Sequence, residues 1–273
     1  MKITFIGGGN MAAALIGGML SRDFSAGSIE VVELLADTRD RLVATYGVKA
    51  TAEAAASVPG SDVVVLAVKP QQLAAVARTL GPVIGSALVI SIAAGIRLED
   101  IRRWLGASPS LALVRAMPNT PALIGMGITG LHAGAEVHPE GRALAERILS
   151  AAGKVTWVER EQLLDPVTAV SGSGPAYVFY FLEAMQAAGT ALGLAPETAR
   201  VLALETFRGA AELAARSPED FATLRTRVTS PGGTTERALA SLSGDGVAEA
   251  IGRALKAADA RAAELADQLG RAS

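Results

Sequence analysis

No cysteine occurs anywhere in the 273 residues, which excludes disulfides, thiolate metal sites and a cysteine nucleophile. A reducing compartment, the cytoplasm, suits such a chain. Aromatic residues are almost as scarce, 4% of the chain against 50% hydrophobic residues overall. Alanine and small aliphatics must therefore fill the interior, which favours close-packed helices and parallel strands over an aromatic-rich β-sandwich. Only two histidines occur, His132 and His138. Neither has acidic partners at metal-ligating spacing, so both are expected to be ordinary loop residues and no metal is expected. The 25 basic and 27 acidic side chains are interleaved, and no Lys/Arg stripe suggests a nucleic-acid partner. No apolar run reaches the ~18 residues of a membrane span, and "MKITFIGGGN" is broken by glycine too early for a signal segment. A soluble, cytoplasmic protein without a membrane partner is expected.

What is present falls into two halves. "KITFIG" (2–7), "SIEVVELL" (28–35), "SDVVVLAVKP" (61–70), "ALVISIAAG" (87–95) and "SLALVRAMPN" (110–119) read as strands. Helical stretches at 10–22, 39–47, 71–85 and 97–106 separate them. Continuous Val/Ile/Leu strands alternating with helices predict a parallel sheet covered on both faces. From about residue 160 the strand signals vanish. Helices are expected from Gly174 to about Gly193, from Pro196 with Glu197 in its first turn, from Pro218, and through Val247, Ile251, Leu265 and Leu269 near the end. The boundary is placed between about 155 and 165, giving an α/β domain over 1–160 and an all-helical domain over 161–273.

"FIGGGNMAA" sets Gly7-x-Gly9-x-x-Ala12 between a strand and a helix. In that context the motif points to a Rossmann-type, doubly wound sheet that binds a dinucleotide. Gly7 permits the tight turn, Gly9 lets backbone approach a pyrophosphate, and Ala12 lets helix pack on strand. The anion would sit at the positive helix end. Glu33, near the end of the second strand, suits the adenosine ribose hydroxyls and would repel a 2′-phosphate. Either NADH or NADPH could serve, with Glu33 tilting the choice toward NADH. Ala67, Val68, Lys69 and Pro70 end the third strand on the ligand edge. "SIAAG" (91–95) and "MPNTP" (117–121) end later strands there, the latter with Asn119 and Thr120 near the expected nicotinamide.

The helical half holds "TRVTSPGGTTERAL" (226–239). Thr234 or Thr235 suits an N-cap and Glu236 a first turn. A cap needs one hydroxyl, however, and not two glycines as well. Gly-Gly-Thr-Thr at a helix start is also a nest of amide donors for a carboxylate.

With "FIGGGNMA", "LAVKPQ", "MPNTP", "VSGSGPAY" and "LRTRVTSPGGTTERALASL", the chain resembles the pyrroline-5-carboxylate reductases from about residue 1 to 268. The resemblance implies a C-terminal dimerisation domain interlocked with a second subunit, and dimers that assemble further into decamers. The substrate would be a small cyclic imino acid, reduced by NAD(P)H to L-proline in the last step of proline biosynthesis. Its carboxylate would meet Ser230, Gly232, Gly233, Thr234 and Thr235, with Thr235 bonded to the ring nitrogen as the catalytic residue. Ile6, Gly7, Gly8, Gly9, Asn10 and Met11 would contact cofactor, as would Ala67–Pro70 and Ile92, Ala93 and Ala94. Two departures bear on cofactor choice: Glu33-Leu34 stands where relatives often carry a phosphate-accepting residue, and Ala54 where they often carry asparagine. Gly172 and Gly174 suit close packing, while Ser171 and Ser173 could reach substrate. A hydroxyacid or imine dehydrogenase of similar plan would need a lysine on the long helix, which "PAYVFYFLEAMQAAG" lacks. A non-catalytic nicotinamide sensor would not need the Gly-Gly-Thr-Thr nest.

Overall fold

A computed structural model describes residues 1–106 and 108–271. Packing divides the chain into two units, Met1–Ser173 with Ala257–Ser273, and Gly174–Lys256. The first unit is built on strands β1 (Ile3–Ile6), β2 (Ile29–Val32), β3 (Lys49–Thr51), β4 (Val63–Leu66), β5 (Leu88–Ser91), β6 (Leu113–Met117), β7 (Gly127–Ala133) and β8 (Gly153–Trp157). Its helices are α1 (Asn10–Leu20), α2 (Ala36–Tyr46), α3 (Ala54–Ser57), α4 (Pro70–Leu80), α5 (Leu98–Leu105), α6 (Pro139–Leu149) and α7 (Leu164–Val167). The sheet order is β3-β2-β1-β4-β5-β6-β7-β8. Every pairing is parallel except β6 with β7. The first six strands thus have the doubly wound order that sequence analysis anticipates.

Why these strands lie flat inside a protein is clearest in β4. Val63 and Val65 face one cluster with Leu15, Ile16, Met19, Ile148 and Leu149. Val64 and Leu66 face the other with Leu73, Leu80, Ile101 and Trp104. A strand buried on both faces needs no polar alternation, hence the unbroken "VVVL". Each such side chain contributes about 1.5–3 kcal/mol of burial.

Three strands differ from expectation. β3 is short, and β7 and β8 sit in a stretch that carries no continuous apolar run. His132 consequently lies on β7, where its Nδ1 is 3.2 Å from the Val158 carbonyl oxygen, and not in a loop. The packing boundary falls at Ser173, beyond the expected 155–165, because the segment after β8 still packs on the sheet: Val167 fills the space above Gly130.

The second unit comprises α8 (Gly174–Ala191), α9 (Pro196–Arg216), α10 (Phe221–Arg227), α11 (Thr234–Gly244) and the first turns of α12 (Val247–Gly270). α10 starts at Phe221 and not at Pro218, because the Asp220 carboxylate accepts from the Thr223 N–H at 2.7 Å and caps the helix there. α8 and α9 meet through small residues, a Cβ on Gly189 falling 3.2 Å from the Ala199 Cβ. Among the described residues of this unit, only Ala199 and Ala203 are buried, while Phe179, Leu192 and Phe221 are 65%, 87% and 79% exposed. Among the described residues no helix is long and apolar enough to cross a membrane. The last part of α12 belongs to the first unit, where Arg97 pairs with Asp267 at 2.6 Å.

On β2, Glu30 pairs with Lys49 at 2.5 Å and Lys2 at 3.2 Å. Burial pulls its carboxyl upward, but the two ammonium groups overcome it and hold the pKa below the ordinary glutamate range. A depressed folded pKa adds stability above the unfolded value and loses it as pH falls through the folded one. Glu30→Gln should therefore lower the urea midpoint at pH 7 by the equivalent of roughly 0.5–1 kcal/mol, with the gap narrowing as pH falls below the ordinary glutamate range. A gap that stays constant through the acid range would contradict this.

Candidate nucleotide and substrate loops

The sheet's switch point lies between β1 and β4, and the loops after both strands converge there. Gly7 donates its N–H to Val32 at 2.8 Å, and Ala67 donates to Ile6 at 2.8 Å. Gly7 has φ +102°, and a Cβ on it would stand 2.7 Å from the Ala67 carbonyl oxygen. Only glycine can pass at that point. Gly9, next to α1, is open: nothing lies within 4 Å of where its Cβ would be. It caps α1 from extended backbone, with no side-chain cap and no acidic residue in the first turn. The helix start therefore keeps unmatched amides and its positive end facing outward. Ile6, Gly7 and Gly8 are buried, Met11 is half-buried, and Gly9 and Asn10 are exposed.

Glu33 directly follows β2 and bends back to the glycine turn. One carboxylate oxygen accepts from the Gly8 N–H at 2.9 Å, the other from the Leu35 N–H at 2.9 Å. Each oxygen retains a lone pair for a further donor. Arg39 Nη1 donates to the Glu33 and Leu34 carbonyls at 2.8 and 2.7 Å. Leu34 and Leu35 stay highly exposed at this edge, a feature the sequence reading did not single out.

Ala67 and Val68 leave β4 half-buried, Lys69 is exposed, and Pro70 opens α4. Ile92, Ala93 and Ala94 follow β5 on the same edge, with Ile92 N–H donating to Leu66 at 3.1 Å. Ala54 opens α3. Asn119 follows β6, but its amide is turned inward: Nδ2 donates to the Ser171 carbonyl at 3.1 Å, and Oδ1 accepts from the Ile128 N–H at 2.9 Å. The Ser171 hydroxyl donates to the Val167 carbonyl at 2.9 Å.

In the second unit, Ser230–Gly233 leads into α11. The N-cap is Gly233, so Thr234 and Thr235 are the first two helical residues, and neither caps the helix through its side chain. The expectation of a threonine cap fails because Gly233 takes the extended conformation at that position, with φ −83° and ψ 174°. Gly232, at φ +72°, donates its N–H to Glu236 Oε2 at 2.8 Å. Gly233 donates to the Ser230 carbonyl at 3.0 Å. The unmatched amides are those of the first helical turn, Thr234 onward. The Glu236 contact was foreshadowed by a glutamate three residues after the N-cap, the spacing of a capping box.

The first unit has the build of a Rossmann-type dinucleotide-dependent oxidoreductase, and residues 2–95 match the family described as NADP oxidoreductase, coenzyme F420-dependent. Residues 161–265 match the pyrroline-5-carboxylate reductase dimerisation family. A pyrroline-5-carboxylate reductase of Pseudomonas aeruginosa is 45% identical over 271 residues, covering 99% of this chain and 98% of its own. A solved Coxiella burnetii pyrroline-5-carboxylate reductase superimposes with TM-score 0.93 at 42% identity, covering 97% of this chain and 98% of that one. A Plasmodium falciparum pyrroline carboxylate reductase with NADP bound does so with TM-score 0.84 at 27% identity over the same shares. The chain belongs to the pyrroline-5-carboxylate reductase family.

Gly7→Ala should cost roughly 1–3 kcal/mol of backbone strain and weaken NAD(P)H binding by at least tenfold, about 1.4 kcal/mol. Calorimetric titration checks this; wild-type affinity in a folded variant would contradict the close approach at Ala67.

Proposed function

We infer that this protein reduces 1-pyrroline-5-carboxylate to L-proline with NAD(P)H, the activity of the family to which it belongs. The observation that carries this reading is 45% identity to a pyrroline-5-carboxylate reductase over 99% of the chain, a span that takes in both the glycine turn and the Ser-Pro-Gly-Gly-Thr-Thr loop. The cofactor fits the first unit on an observation of its own: α1 begins without a side-chain cap, behind a glycine turn in which residue 9 leaves open space. Ile6–Met11 would hold the pyrophosphate, Glu33 the adenosine ribose, and Ala67–Pro70 with Ile92–Ala94 the remainder. The reduced nicotinamide, when bound, supplies the hydride that adds to the C=N carbon.

The chain's own residues orient the imine and manage its proton. The first-turn amides of α11 take the substrate carboxylate, with Ser230, Gly232, Gly233 and Thr234 shaping the cradle. No cationic side chain is required, because uncapped amides and the helix dipole already favour an anion. Thr235 places its hydroxyl on the ring nitrogen, where it orients the imine and relays a proton to the forming amine. A hydroxyl is a weak acid, so catalysis here rests on placement and preorganised dipoles. Glu33 accounts for cofactor choice: its carboxylate would meet ribose hydroxyls with the remaining lone pairs and repel a 2′-phosphate, so NADH is preferred. The exposed apolar faces of α8 and α9 support a homodimer, open to assembly into decamers, and the lack of cysteine suits a cytoplasmic enzyme.

Mixing the protein with pyrroline-5-carboxylate and NADH should consume NADH absorbance, faster than NADPH at equal concentration; no loss with either cofactor would refute the activity. Thr235→Ala should lower kcat by roughly 10- to 100-fold, and unchanged steady-state kinetics would remove Thr235 from the reaction. Light scattering at micromolar concentration should give at least a dimer mass; a monomer would contradict the reading of α8 and α9.

A further inference from the structure

The end of β6 holds the segment after β8 at three points. Arg115, buried on β6, pairs with Glu161 at 3.2 Å and Asp165 at 3.6 Å. Met117 places its Cε where a Cβ on Gly172 would lie, 2.5 Å away. Asn119, buried two residues further on, donates its amide to the Ser171 carbonyl while accepting from Ile128.

The segment so held is irregular. Thr168–Gly172 forms a π-helical turn, closed by the Ser173 N–H donating to Thr168 at 2.8 Å. Such turns are rare and recur at functional sites. Two hydroxyls fold onto the turn before it, Thr168 Oγ1 to Leu164 at 2.7 Å and Ser171 Oγ to Val167. Their side chains are therefore turned to backbone, and α8 begins directly afterwards at Gly174. Both polar atoms of the Asn119 amide are engaged within the protein, and the side chain is buried, so its orientation is set by Ser171 and Ile128 while one N–H and one lone pair stay unused.

We propose that Asn119 is a positioning residue: its amide pins the π-turn Thr168–Gly172 to the end of β6 and so fixes the segment from which α8 departs, without contacting the cofactor. The role rests on the reductase reading above. It separates two tasks that the Met-Pro-Asn-Thr-Pro loop could combine, since cofactor affinity belongs to the β1, β4 and β5 loops.

Asn119→Asp keeps an acceptor for the Ile128 N–H and removes the donor to Ser171. Expected are an NADH Kd within about twofold of wild type, faster amide exchange across Ser171–Ser173, and kcat/KM for pyrroline-5-carboxylate down on the order of ten- to a hundredfold. NADH binding weakened together with unchanged exchange would make Asn119 a cofactor ligand and overturn the proposal, as would a variant unaltered in every readout. Should a buried carboxylate prevent folding, Asn119→Ser removes the same donor to Ser171 without adding a charge. Exchange across Ser171–Ser173 should again quicken and kcat/KM fall while the NADH Kd holds, and unchanged exchange in that variant would also overturn the proposal. If the wild type does not reduce the imine, the reductase reading fails, while the exchange comparison still decides whether Asn119 pins the turn.

Discussion

The Ala67 carbonyl leaves no room for a side chain on residue 7, and the nucleotide end of the protein is organised around that close approach. β1 and β4 are neighbours with opposite winding on either side, so their outgoing loops must separate just where they are nearest. A left-handed Gly7 lets the first loop turn over the second, and Gly9 then starts α1 with bare amides. The double burial of β1 and β4 makes this geometry stiff, since neither strand can shift without disturbing both apolar layers. Glu33 reinforces it by accepting from Gly8, so one carboxylate serves the turn while keeping lone pairs free for a ligand.

The helical unit follows a different rule. It buries little within one chain and leaves large apolar side chains in the open. Surfaces of that kind mark interfaces, and the match of residues 161–265 to a dimerisation family is in keeping with it. Its loop before α11 repeats the device of the first unit: a glycine N-cap, no side-chain cap and a first turn with unmatched amides. Both proposed anion sites therefore rely on main chain.

Much of this was legible in the sequence. The buried strands β1, β2, β4 and β5 declare themselves by unbroken Val/Ile runs, and α9 by Pro196 and Glu197. β7 stayed hidden because it needs glycine for packing: a Cβ on Gly127 would meet Ala122 at 2.9 Å and one on Gly130 would meet Val167 at 2.6 Å. Those glycines erase the strand signal. α6 carries a proline start and a first-turn glutamate like α9, so its signal was present and passed over. Partners across long sequence separations were not legible. Nothing local indicates that Asn119 bonds Ser171, 52 residues away.

The central claim is that the substrate carboxylate is held by peptide amides at the start of α11 and not by a cationic side chain. A crystal structure with NADH and proline bound tests it most directly. The account predicts carboxylate oxygens about 3 Å from the Thr234 and Thr235 nitrogens, with Glu236 turned off the Gly232 amide. A carboxylate paired with an arginine or lysine, and α11 left without a ligand at its first turn, would contradict it.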